Sequence, residues 1–124
     1  IETVDLAAAL GDGWEEVDET PIGQATIRMM LEFFGVAAEA AVTAADGWGG
    51  DRAVIVSGPD DAFAVAWRLA WDAPGDADEF VAAYQQAIDA LDFPATVEEL
   101  PGEEVLVVHA SSEELLSQTL AAAR

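Results

Sequence analysis

Residues 44–52 read Ala-Ala-Asp-Gly-Trp-Gly-Gly-Asp-Arg. The residue types gathered there can do chemistry. Successive glycine N–H groups make an anion-binding nest, and Arg52 beside Gly49 and Gly50 would add a cation. The spacing matches neither a P-loop nor a dinucleotide fingerprint. The competing reading is a corner. Gly47 ends a helix in the left-handed conformation and Trp48 packs back on its last turn. Gly49 and Gly50 then let the chain bend into a following strand, with Asp51 and Arg52 pairing with each other or with neighbours. The corner is the preferred reading, and 47–52 is retained as the alternative binding site.

Three other groups qualify. His109 is the one histidine and could serve as a general base. No nucleophile is paired with it in sequence, so a sheet-edge residue bonded to a neighbour is expected. Acid pairs at Glu15–Glu16, Asp60–Asp61, Glu98–Glu99, Glu103–Glu104 and Glu113–Glu114 have the composition of glycosidase carboxylates. A chain this acidic produces such pairs without that purpose. Asp60–Asp61 and Asp76–Asp78–Glu79 would suit a hard cation, though without EF-hand spacing. Phe63, Trp67 and Trp71 alternate on one side of a strand, where an aromatic row holds a sugar, an extended peptide or, more commonly, a core. No catalytic residue, cofactor or metal ligand is assigned.

The elements that must position these residues follow from pattern. Residues 4–10 form a short helix stopped by Gly11, and 14–19 an extended segment. A core helix opens with Thr20 as N-cap and Pro21 at its first position and ends at Gly35. A second helical stretch runs to Gly47. Residues 51–72 make a hairpin around Ser-Gly-Pro-Asp-Asp. Its second strand alternates, with Phe63, Val65, Trp67, Leu69 and Trp71 opposite Ala62, Ala64, Ala66, Arg68 and Ala70. Arg68 would pair with an acid of a covering helix. Asp76 and Glu79 give a capping box for a helix with one apolar stripe, Phe80, Ala83, Tyr84, Ala87, Ile88 and Leu91. Residues 96–100 form a short strand. Residues 103–110 form one that is apolar on both faces and hence internal. Ser111 and Glu114 cap the final helix. The order predicts an α+β fold, a mainly antiparallel sheet with helices packed on one face.

Composition bounds the rest. The 124 residues suit one domain, and 52% hydrophobic residues argue against disorder. There are 25 acids, four arginines and no lysine, a formal net charge of −21. Self-repulsion of that size destabilises a compact chain in dilute salt, and salt screens it, so a halophilic protein is expected. Nucleic acid binding is disfavoured because no basic stripe meets phosphates. The lack of cysteine excludes disulfides and thiolate metal sites. No run is long and apolar enough to span a membrane. The chain opens at Ile1, which suggests a domain or processed fragment of a longer protein.

Leu10-Gly11, Gly13-Trp14, then Gly23, the 44–52 stretch with Gly47 to Arg52, Trp71-Asp72 and Asp76-Ala77 with Phe80 together resemble the C-terminal part of secreted, peptidase-like surface lipoproteins of bacteria and haloarchaea. The resemblance covers about residues 1–91. The family pattern has a Gly-Glu pair where this chain has Gly23-Gln24. Its His-Glu-x-x-His zinc signature and third acidic ligand lie upstream of the matched region and are not in this sequence. The resemblance implies a non-catalytic accessory domain, extracellular or at the cell surface, partnered by an upstream peptidase-like domain. The alternative is a peptide- or sugar-binding module using Phe63, Trp67 and Trp71 or the glycine corner.

Overall fold

The computed structural model describes residues 3–124. In chain order the elements are α1 (Leu6–Leu10), β1 (Glu15–Thr20), α2 (Gln24–Phe33), α3 (Ala38–Ala45), β2 (Trp48–Ser57), a 3-10 turn (Pro59–Asp61), β3 (Phe63–Trp71), α4 (Pro74–Ile88), β4 (Ala95–Leu100), β5 (Glu104–Ala110) and α5 (Glu113–Ala123). The strands form one five-stranded sheet in the order β1-β2-β3-β5-β4, and every pairing is antiparallel. The α+β class and the antiparallel sheet are as the sequence implied.

The helices cover both faces of the sheet, not one. On β3, Trp67, Leu69 and Trp71 join Val105 and Val107 of β5 in a core closed by α2, α3 and α4. The alternate residues, Ala64 and Ala66, join Val54, Val56, Leu106 and Val108 under α1 and α5. The reason lies in the alanines. They read as a passive side of β3, yet a strip of small side chains lets a helix approach closely, so that side is buried too. The apolar run at Val105–Val108 carried this signal, because a strand apolar on both faces needs cover on both. The order also places β5 between β3 and β4, internal as its pattern required.

Aromatic packing concentrates on the α4 side. Phe80 and Tyr84 lie one turn apart on α4, and each meets Trp67 edge to face, at 5.9 and 5.8 Å between ring centroids. Trp71 adds a 5.0 Å contact with Phe80. Fully burying one such side chain contributes about 1.5–3 kcal/mol.

Three expected helix starts shift. α4 begins at Pro74, with Ala73 at the cap and Asp76 inside the first turn, because proline suits the first helical position. α5 is capped by Ser112, whose hydroxyl accepts from Leu115 N–H. Ser111 instead accepts from Phe63 N–H across the β3 end. α2 starts at Gln24, not after Thr20. Thr20 closes β1, and the α2 cap comes from elsewhere in the chain.

Candidate functional site

The 44–52 stretch folds as follows. α3 ends at Ala45 and Gly47 turns the chain at φ +79°. A Cβ at Gly47 would overlap the Asp76 carboxylate in the first turn of α4. β2 starts directly at Trp48, and its register with β3 slips between Trp48 and Gly50, a bulge with Gly50 at φ +138°. The bulge re-aims the strand. It brings Asp51 onto the α2–α4 side and Arg52 onto the α1–α5 side, so the two do not pair with each other.

Asp51 is the centre of the arrangement. It is 6% exposed, and its carboxylate accepts four N–H groups. Oδ2 takes Ile22 N–H at 2.7 Å and Trp67 Nε1–H at 2.8 Å. Oδ1 takes Gly23 N–H at 3.0 Å and Trp48 Nε1–H at 3.1 Å. Gly23 is the N-cap of α2 and offers no side chain to it. The carboxylate of Asp51 therefore satisfies orphan donors of that helix end and places a negative charge at its positive pole. A residue 28 positions away from Gly23 does this. Sequence spacing of local capping motifs gives no access to such a partner.

Arg52 Nε–H donates to Glu19 of β1 at 3.2 Å. A hydrogen bond from Thr3, and then Arg52, hold Glu19 below its ordinary value. The corner glycines are thus walled by Asp76, by Asp72 and the Ala70 carbonyl near Gly49, and by Asp51. Three carboxylates around the glycine backbone disfavour an anion there, and Arg52 faces away.

Asp12-Gly13-Trp14, the same triplet as Asp46-Gly47-Trp48, makes a different corner. Trp14 lies over Gly58 so closely that a Cβ there would overlap the indole. This ties the α1–β1 turn to the β2–β3 turn.

Two members of the aromatic row are core, and Phe63 is half-buried. Trp67 and Trp71 are buried beneath α4, and Phe63 packs edge to face with Phe93 at 5.5 Å. Neither Trp67 nor Trp71 offers a surface to solvent, at 2% and 5% exposed. Among the described residues the buried Trp71 indole N–H has no partner, whereas Trp67 has Asp51.

His109 stands in β5 between Val65 of β3 and Ala95 of β4, inside the sheet and not at its edge. Its Nε2 lies 2.7 Å from the Tyr84 hydroxyl. The ring sits between Tyr84 and Phe93, with centroids at 6.1 and 5.1 Å. Burial pushes the imidazole down to about 4 and pushes the Tyr84 phenol up. At neutral pH the pair is therefore an uncharged hydrogen bond between the phenol hydroxyl and Nε2. That state suits a core contact between α4 and β5.

The remaining acids do not converge. Among the described residues no group of three or more His, Cys, Asp or Glu side chains is placed to hold a metal ion. Within the expected 76–79 cluster, Asp76 is turned to Gly47. Asp78 faces Glu99, whose pKa it raises by hydrogen bonding and like charge. Asp60 and Asp61 sit in the 3-10 turn, both at positive φ. Arg68 finds its acid on the neighbouring strand, Glu104 at 3.3 Å, and also bonds the Ala123 carbonyl at 2.8 Å. No helix among the described residues is long and apolar enough to cross a membrane.

The chain belongs to the family described as Domain of unknown function (DUF8575), which it matches over residues 8–120. No curated protein and no solved structure matches it. The family description carries no activity, substrate or location.

Proposed function

With an internally satisfied corner in a DUF8575 domain as the premise, we propose that this is a non-catalytic, salt-adapted accessory domain of a peptidase-like cell-surface lipoprotein. Its role there is to support or dock an upstream domain in a high-salt, extracellular setting. The observation that carries the reading is the Asp51 carboxylate. All four of its hydrogen bonds come from this chain's own backbone and indoles, so the most distinctive sequence stretch is spent on holding α2, β2 and β3 together.

Two further features support it. The net charge of −21 suits a solvent in which repulsion is screened. The outer side of α2 carries Met29 and Phe33 one turn apart, 63% and 84% exposed, which suits contact with a neighbouring domain.

The reading is tested on the parent gene and its product. A His-Glu-x-x-His helix encoded upstream is expected, along with loss of contact between the two parts when Phe33 is replaced by serine. An upstream region without that motif removes the peptidase link. A Phe33→Ser protein whose two parts dock as before removes the α2 surface.

A further inference from the structure

The chain has four arginines against 25 acids, yet three of the four converge on one end of the α1–α5 face. Arg52 and Arg68 stand directly opposite each other in the β2–β3 register, an arrangement that like charges disfavour. Arg124 follows the end of α5. Each guanidinium leans on one glutamate: Arg52 on Glu19, Arg68 on Glu104 and Arg124 on Glu98. Those contacts use only some of each group's N–H donors. Surface neutralisation does not require cations to be adjacent when acids are spread over the whole chain.

Beside them is a cavity of about 190 Å³, larger than the roughly 150 Å³ that holds a benzene ring. Val54, Ala66 and Leu106 of the sheet line it together with Val4, Arg68 and Arg124. The small side chain at Ala66, between Val54 and Val108 in the sheet register, leaves this space. A hollow of mixed lining, with aliphatic side chains of the sheet beneath it and guanidinium groups beside them, fits a ligand with a short hydrocarbon body and one anionic head.

We propose that this cavity binds a small organic monocarboxylate, with the alkyl part on Val54, Ala66 and Leu106 and the carboxylate between Arg68 and Arg124. Arg52 adds positive potential from the next strand. Neutral analogues lose the guanidinium contacts, and inorganic anions lose the aliphatic contacts.

The test is a titration of the full chain with isovalerate, followed through the methyl NMR signals of Val54 and Leu106. Isovaleramide and chloride are run in parallel. Saturable shifts in roughly the millimolar range are expected for isovalerate. Binding should be about tenfold weaker for isovaleramide and absent for chloride. Ala66→Leu fills the hollow and should abolish saturation. Arg124→Gln should weaken isovalerate several-fold while the chain stays folded. Shifts that never saturate would overturn the proposal. So would equal binding of the amide, or wild-type affinity in a folded Arg124→Gln or Ala66→Leu protein.

Discussion

Trp67 on β3 and Asp51 on β2 are sixteen residues apart in sequence and are joined by a 2.8 Å hydrogen bond from the indole N–H. The same carboxylate reaches Trp48 and the start of α2. One side chain thus couples two strands and a helix. It also explains why β2 starts inside the Gly-Trp-Gly-Gly-Asp run, at Trp48.

Both oxygens of Asp51 accept from two donors. An amide fails whichever way it is turned, because its NH₂ would face two N–H groups. Asp51→Asn should therefore cost nearly as much as Asp51→Ala, roughly 3–5 kcal/mol in urea unfolding. An asparagine variant within about 1 kcal/mol of wild type would show that the network is dispensable.

Two tryptophans of similar burial offer an internal control. Trp67→Phe and Trp71→Phe remove comparable volume, but among the described residues only Trp67 has a partner for its N–H. The Trp67 variant should be the less stable by about 1.5–3 kcal/mol. Equal losses would mean that the hydrogen bond to Asp51 contributes little beyond ring packing.

Gly47 is held at φ +79° with the Asp76 carboxylate where a side chain would go. Gly47→Ala should cost roughly 1–3 kcal/mol from backbone strain, with a further loss from the overlap. Adding Asp76→Ala should restore only the second part. Full restoration in the double variant would place the whole penalty on sterics.

The His109 imidazole is pushed down to about 4 from its ordinary 6.5. Between those values the unfolded chain binds a proton that the folded chain excludes, so stability falls as pH drops through that window. From pH 7 to pH 5 the loss from this group is on the order of 2 kcal/mol. It should disappear in His109→Gln relative to wild type. Parallel stability–pH curves for the two proteins would refute the buried neutral state. Glu19 and Glu98, both held low, act lower down, losing their contribution as pH falls below the ordinary carboxylate range.

Salt should act in the other direction from dilution. With a charge of −21, screening at about 3 M KCl should raise the melting temperature by several degrees over about 0.1 M. A melting point that does not move would leave the acidic composition without a role in stability.

What the sequence alone determined about this protein is its local and compositional character. Periodicity identified β3 by its alternation, α4 by its stripe and β5 as an internal strand. The acid excess fixed the net charge of −21. These are properties of neighbours along the chain, and three or four residues suffice to express them. The tertiary structure decided which groups meet across long separations. Asp51 caps a helix it precedes nowhere in sequence, Arg52 and Arg68 come face to face, and the alanines of β3 become a second buried face. Each depends on strand order and on a one-residue bulge between Trp48 and Gly50. Because side chains alternate at every residue of a strand, that single slip sets which side of the sheet Asp51 and Arg52 occupy, and no local pattern encodes it.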